Sequence, residues 1–254
     1  MRKVRLNKHD VVLYDSIDEL PIVRFHKYNH LVLVDAGIGS DLADFDNHLE
    51  RVARYIRNKD MDNAAKEMEN LRQNLYMVIS EQSINHLSFA CLVKEIDGQP
   101  CEDLSQEGLQ KVVGLLSGEK KETLDEVIRS AKKKIDSELQ LYFPSLFDDT
   151  TTKEYYDLLK RQMINTLKMI CEGEDEERKA EDEKLQDKLV LFTKPKTYTG
   201  SNGVEVKHDK DFESMCLMIS KETSTDAKAM TTLAFYNAYE YIKEKARKTQ
   251  NKAR

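Results

Sequence analysis

Apolar residues recur at spacings of three and four along most of the chain, the period of a helix with one apolar face. Leu42, Phe45, Leu49, Val52 and Ile56 form one such stripe. Ala64, Met68, Leu71, Leu75, Val78 and Ile79 form a second, and the turn Asn58-Lys59-Asp60 between them predicts an antiparallel helical hairpin. Upstream, Pro21 suits a helix start. Ile22, Phe25, Leu31 and Val32 carry that helix to Asp35-Ala36-Gly37, where Gly37 is expected as the left-handed C′ residue. On that expectation Gly37→Val costs about 1 kcal/mol or more. Ser40 is the expected cap of the next helix.

Further along, the pattern predicts a largely apolar helix over 84–95, then a turn at Asp97-Gly98. Helices are expected over 106–116, behind Ser105, and over 124–142, behind Thr123 and stopped by Phe143-Pro144. A long helix over 153–171 carries Tyr155 or Tyr156, Leu159, Met163, Leu167 and Ile170. The acidic, apolar-free run 174–184 is either a solvated helix or a linker. The composition then shifts, and 189–193 is a β-prone run. Asn202-Gly203, flanked by 197–199 and 204–206, is the chain's strongest hairpin signal. Helices return over 211–220 and from Thr225 or Asp226 to about 248.

The expected fold is therefore mainly α: a multi-helix bundle with an extended N-terminal arm and a small β-hairpin inserted before C-terminal helices. The divisions are 1–20 (arm, with a β-prone run at Val11, Val12 and Leu13), 21–173 (bundle), 174–188 (acidic helix or linker), 189–208 (hairpin) and 209–254 (C-terminal helices). Composition agrees. The 254 residues include only 9 Gly and 4 Pro, where average usage gives about 18 and 13, so helices run long.

Charge narrows the function. A net charge of −6 disfavours a general nucleic-acid coat. Both ends are locally basic, through Arg2, Lys3, Arg5 and Lys8 and through Lys243, Lys245, Arg247, Lys248, Lys252 and Arg254. Such ends are either solvated or touch an acidic partner or packaged DNA. Cys91, Cys101, Cys171 and Cys216 form no C-x-x-C pair and are expected as buried free thiols of a reducing compartment. The polar first residues do not form a secretory signal, and no apolar run is long enough for a bilayer.

Constellations that could carry chemistry fail on spacing. Gly37-Ile38-Gly39-Ser40 lacks the third glycine and the Lys of phosphate-binding loops, leaving a capped turn between helices. His26 and His30 share a helical face but need further ligands to hold a metal; partly exposed histidines beside Arg24 and Lys27 are the expectation. His48 could lie near them, though nothing in the sequence shows it. Asp41, Asp44, Asp46 and Glu50 lack an EF-hand's glycine and terminal Glu, and the helix dipole accounts for Asp41 and Asp44. A metal-dependent nuclease would need carboxylates from other elements as well. No catalytic, cofactor-binding or metal-binding residue is assigned, no cofactor is expected, and the chain is not expected to be an enzyme.

Longer segments carry a resemblance. DELPIVRFHKYN at 18–29, LVDAGIGSD at 33–41 and ENLRQNLY at 69–76 resemble a structural protein of crAss-like bacteriophages and related Bacteroides phages. VKEIDG at 93–98, KKKIDSE at 132–138 and YFPSLF at 142–147 fit the same family, so the likeness covers about 3–170. LAFYN at 233–237 and EYI at 240–242 resemble helices common in phage virion or tail-assembly proteins. The resemblance implies a virion protein assembled in the host cytoplasm, and it carries over no functional residues. Size and helix content point to a ring or connector subunit of the portal–neck region that extends the DNA channel. Its expected partners are copies of itself, portal or other neck and tail proteins, and genomic DNA only as it passes; no membrane is expected. The alternatives are a tail-assembly chaperone or other morphogenesis factor, and a capsid-interior, ejected cargo protein.

Overall fold

A computed structural model describes residues 1–6, 8–80, 83–116, 121–146, 150–173, 175–192, 194–198 and 200–252. The chain begins with strands β1 (Arg2–Leu6) and β2 (His9–Leu13), followed by helices α1 (Ile22–Ile38), α2 (Leu42–Arg57), α3 (Met61–Ile79) and α4 (Ile84–Ala90). Strands β3 (Val93–Ile96) and β4 (Gln99–Pro100) come next. Helices α5 (Gln106–Leu116), α6 (Lys121–Tyr142), α7 (Thr150–Glu172), α8 (Glu176–Val190), α9 (Val204–Thr223) and α10 (Thr232–Lys252) complete the order. The fold is mainly helical, with one small antiparallel sheet among the described residues, ordered β1-β2-β3-β4.

The N-terminal arm is built into the sheet, and its β-prone run at Val11, Val12 and Leu13 is a strand. Val4 and Leu6 alternate with Lys3 and Arg5, a half-buried strand pattern, and Arg2–Leu6 pairs with His9–Leu13 in register Leu6↔His9. Val11 pairs with Ile96, and a register shift after Val12 brings Leu13 opposite Val93. This pairing ends the expected 84–95 helix at Ala90. An apolar run serves a buried helix or a buried strand equally well. Here the left-handed pair Asp97 (φ 51°) and Gly98 (φ 76°) turns the chain back as a hairpin. Arg24, expected on an exposed basic face, is buried. Its guanidinium donates to the carbonyls of Cys91 (3.1 Å), Val93 (3.0 Å) and Cys101, tying α1 to that hairpin.

The main core joins both ends of the chain. Leu6, Leu13, Ile17, Leu20, Ile22, Phe25, Phe89, Leu92, Ile128, Ile135, Ile219 and Phe235 are all fully or nearly fully buried in one cluster. Backbone bonds fix the docking of α10: Thr232 donates to Leu20 O (2.8 Å) and Leu233 to Ile17 O (2.9 Å). The Thr232 hydroxyl donates to Leu20 O as well (2.8 Å).

Residues 189–208 do not form the expected hairpin; no strand lies there among the described residues. Leu189 and Val190 close α8, so most of the acidic run is helix, started by Asp175 accepting from the Arg178 amide. Gly203 is extended (φ −66°, ψ 158°) and caps α9, whose first turn is Val204, Glu205 and Val206. A hairpin turn of the Asn-Gly type would need positive φ there. A second apolar cluster of Val34, Ile38, Ile84 and Tyr198 pins this connection against α1.

Gly37 is not a C′ residue. It lies inside α1, and Gly39 (φ 69°) takes the left-handed position, its amide donating to Asp35 O (2.8 Å). What Gly37 provides is space, because a Cβ there would overlap the Tyr198 phenol. Asp41, rather than Ser40, caps α2.

Candidate functional site

The helical stripes do not all face inward. On α2, Leu42, Leu49 and Ile56 are exposed; on α3, Met61, Met68, Leu75 and Ile79 are, Ile79 at 72%. On α7, Tyr156, Met163, Leu167 and Ile170 (74%) are exposed. Several of these recur every seventh residue: 42, 49 and 56; 61, 68 and 75; 156, 163 and 170. That spacing keeps them on one line of a helix and suits lengthwise packing against another helix. An open cleft of about 1190 Å³ lies between α2 and the α7–α8 hairpin, with Tyr155, Tyr156, Leu159 and Phe192 in its wall.

The interior of the α2–α3 hairpin is mixed: Val52, Tyr55, Ala64 and Leu71 are buried there, and polar residues are buried with them. Glu67 and Asn74 are fully buried, with His48, Asn63 and Asn70 beside them. The Nδ1–H of His48 donates to Glu67 (2.8 Å) and its Nε2–H to Ile38 O (2.8 Å), and Arg51 pairs with the same carboxylate (3.1 Å). Both His48 nitrogens face acceptors, so both bonds are made when the ring is protonated. Burial opposes that charge, but the bonds to Glu67 and Ile38 outweigh it and hold the pKa above its ordinary value. Asn74 also donates to Ile38 O (3.0 Å), so α3 holds the C-terminal end of α1 through this layer.

A second polar cluster lies where α1 meets α9. His26 and His30 extend from α1, four residues apart; Glu205, His208 and Asp209 extend from α9 at i, i+3 and i+4, so each set shares one face. His26 Nε2 is 2.8 Å from Asp209 Oδ1, and His30 Nδ1 is 3.4 Å from the same oxygen. His30 Nε2 meets Glu205 (2.9 Å). The His26 ring stacks on Phe212 (centroids 3.9 Å apart) and on His208 (4.5 Å). Burial lowers the pKa of His26 and His208. Burial also pulls the Asp209 carboxyl upward, but the hydrogen bond to His26 and the neighbouring imidazoles together hold it below its ordinary range. Among the described residues, His26, His208 and Asp209 are the one His, Cys, Asp and Glu group placed closely enough to share an ion, their ligand atoms all within 4.8 Å of one another.

The structure separates the other candidates. His48 joins Glu67, not His26 and His30. Asp41 accepts from the Asp44 amide (2.9 Å), and Asp44 accepts from the Ser40 amide (3.1 Å), so both carboxylates are occupied in capping. Glu50 pairs with Arg54. Cys91 and Cys216 are buried, and burial pushes the Cys91 thiol up to about 12; Cys101 is half-buried and Cys171 is exposed. The α9 residues escape a sequence reading that puts 204–206 on a strand. Once α9 is a helix, the Glu-x-x-His-Asp run opposite His-x-x-x-His is a legible signal.

These features define a mainly helical protein whose long stripes are presented outward around a conventional core. No family model, curated protein or solved structure matches the chain. Among the described residues, no helix is long and apolar enough to cross a membrane.

Proposed function

We propose that this chain is a structural subunit of a bacteriophage virion, a ring in the head-to-tail region built by contact between copies. The outward apolar stripes of α2, α3 and α7 carry this reading. Large exposed apolar surface on a folded chain marks contact with another macromolecule. In a cyclic ring one face of a subunit meets a different face of its neighbour, and the α2–α3 and α7–α8 hairpins offer two such faces. The sequence resemblance supplies the virion context. A net charge of −6 suits a conduit through which DNA passes without being held.

Mass spectrometry of purified particles tests the reading. The protein should be present at about the copy number of the portal, and the isolated chain should form rings of one size by electron microscopy. A chaperone would carry similar apolar faces but be missing from the particle, and an ejected cargo protein would leave with the genome. Either result would overturn the ring assignment.

A further inference from the structure

We propose that His26, His30, His208 and Asp209 form a four-coordinate site for a divalent transition metal, Zn(II) by preference, joining α1 to α9. This site is independent of the ring reading. Its geometry centres on Asp209 Oδ1. That oxygen is 2.8 Å from His26 Nε2, 3.4 Å from His30 Nδ1 and 4.0 Å from His208 Nδ1. A tetrahedral zinc with bonds of about 2.0–2.1 Å places neighbouring ligand atoms about 3.3–3.4 Å apart. The three observed separations bracket that value. The ligand atoms of His26, His208 and Asp209 lie within 4.8 Å of one another, and the His30 ring, outside that group, would have to turn toward them to complete the set.

Two further observations point to a ligand. His208 Nδ1 is buried and has no hydrogen-bond partner, although a buried ring nitrogen ordinarily finds one. Glu205, meanwhile, lies 2.9 Å from His30 Nε2. With a metal bound at Nδ1, that carboxylate would accept the Nε2–H, the carboxylate–histidine arrangement that supports metal ligands. Phe212, stacked on His26, shields one flank.

Three imidazoles and one carboxylate form a nitrogen-rich set. It suits Zn(II), with Co(II) as a spectroscopic substitute, and does not suit Ca(II) or Mg(II), which prefer oxygen. Four protein ligands leave no open position, so the ion would be structural. It would tie residues 26–30 to residues 205–209 across the length of the chain.

The test uses the full chain without an affinity tag, stripped with chelator and titrated with ZnCl₂ by calorimetry, with thermal unfolding followed in parallel. The wild-type chain should bind one Zn(II), show the intense visible bands of tetrahedral Co(II), and melt at a higher temperature with zinc than without. His208→Ala and Asp209→Asn, each checked for unchanged circular dichroism, should weaken binding about tenfold or more and lose the zinc-dependent rise in Tm. His86→Ala, outside the cluster, should retain both. Absence of stoichiometric binding to the wild type overturns the site, as does binding that survives both cluster variants or is lost in His86→Ala.

Discussion

The sheet-centred core and the α2–α3 hairpin differ in how much polar structure they bury. In the core, apolar residues such as Leu13, Phe25, Ile135 and Phe235 face inward, and water meets charge. In the hairpin Glu67 and Asn74 are fully buried beside Val52, Tyr55 and Leu71, while Leu49, Met68 and Ile79 face outward. Both regions have the same helical period. Periodicity thus establishes that a helix has an apolar face, but not whether that face is covered by its own chain. An apolar stripe left outside in this way is the kind of surface that contact with another molecule would cover.

The largest expected effects test the two interiors. Phe235→Ala removes a ring packed against Phe212 and Tyr236 (centroids 5.9 and 5.7 Å apart) and should cost about 4 kcal/mol in chemical denaturation. Glu67→Leu should cost about 3 kcal/mol for a different reason: it leaves the His48 imidazolium and Arg51 facing an uncharged buried group. Adding His48→Leu should recover part of that loss. If Glu67→Leu is neutral, the hairpin interior is not held by its charges.

Gly37→Ala should be smaller and of opposite sign to its helix propensity. Propensity alone favours Ala by about 1 kcal/mol inside a helix. The added methyl, however, meets the Tyr198 phenol, so that ring must leave its packing with Val34, Ile38 and Ile84. A net loss of about 1–3 kcal/mol is expected. In a Tyr198→Ala background the same change should become stabilising; a loss in both backgrounds would refute the packing role.

Where sequence and structure part, the physical reason is specific. The bounds of α2 and α3 and the stop at Phe143-Pro144 are readable because period and breakers are local. Partner-dependent features are not. Val93–Ile96 becomes a strand only because β2 lies beside it, and Asn202-Gly203 precedes a helix because Tyr198 anchors the preceding segment on α1. The histidine cluster is illegible for the same reason, since its α9 half depends on 204–206 being helical rather than a strand. The exposure of the α2, α3 and α7 stripes is legible only in three dimensions.

A pH series sharpens the contrast more gently. The folded-state pKa of His48 is raised above its ordinary value near 6.5 by Glu67 and Ile38 O, against burial and Arg51. A raised pKa means the fold prefers the protonated ring. The stabilisation is therefore complete below about pH 6.5 and is lost as pH rises through the folded-state value. Denaturation midpoints should fall over that interval in the wild type, and the His48→Gln difference should shrink with them. A difference that stays constant across the interval would mean that His48 is not held as a cation.

The smallest effect on monomer stability should come from the outward stripes, and it tests the comparison most directly. Leu49→Ser and Ile79→Ser remove apolar surface that the isolated chain leaves in water, so each should change unfolding free energy by no more than about 0.5 kcal/mol. If copies meet through these faces, the same substitutions should shift light-scattering mass from ring to monomer, because the apolar area is buried only on association. Truncation of Phe235 should do the reverse, lowering stability at every concentration whether or not copies associate. A Leu49→Ser variant that unfolds like Phe235→Ala would place that side chain in the chain's own core. One that folds and assembles like the wild type would remove the α2 stripe from the interface.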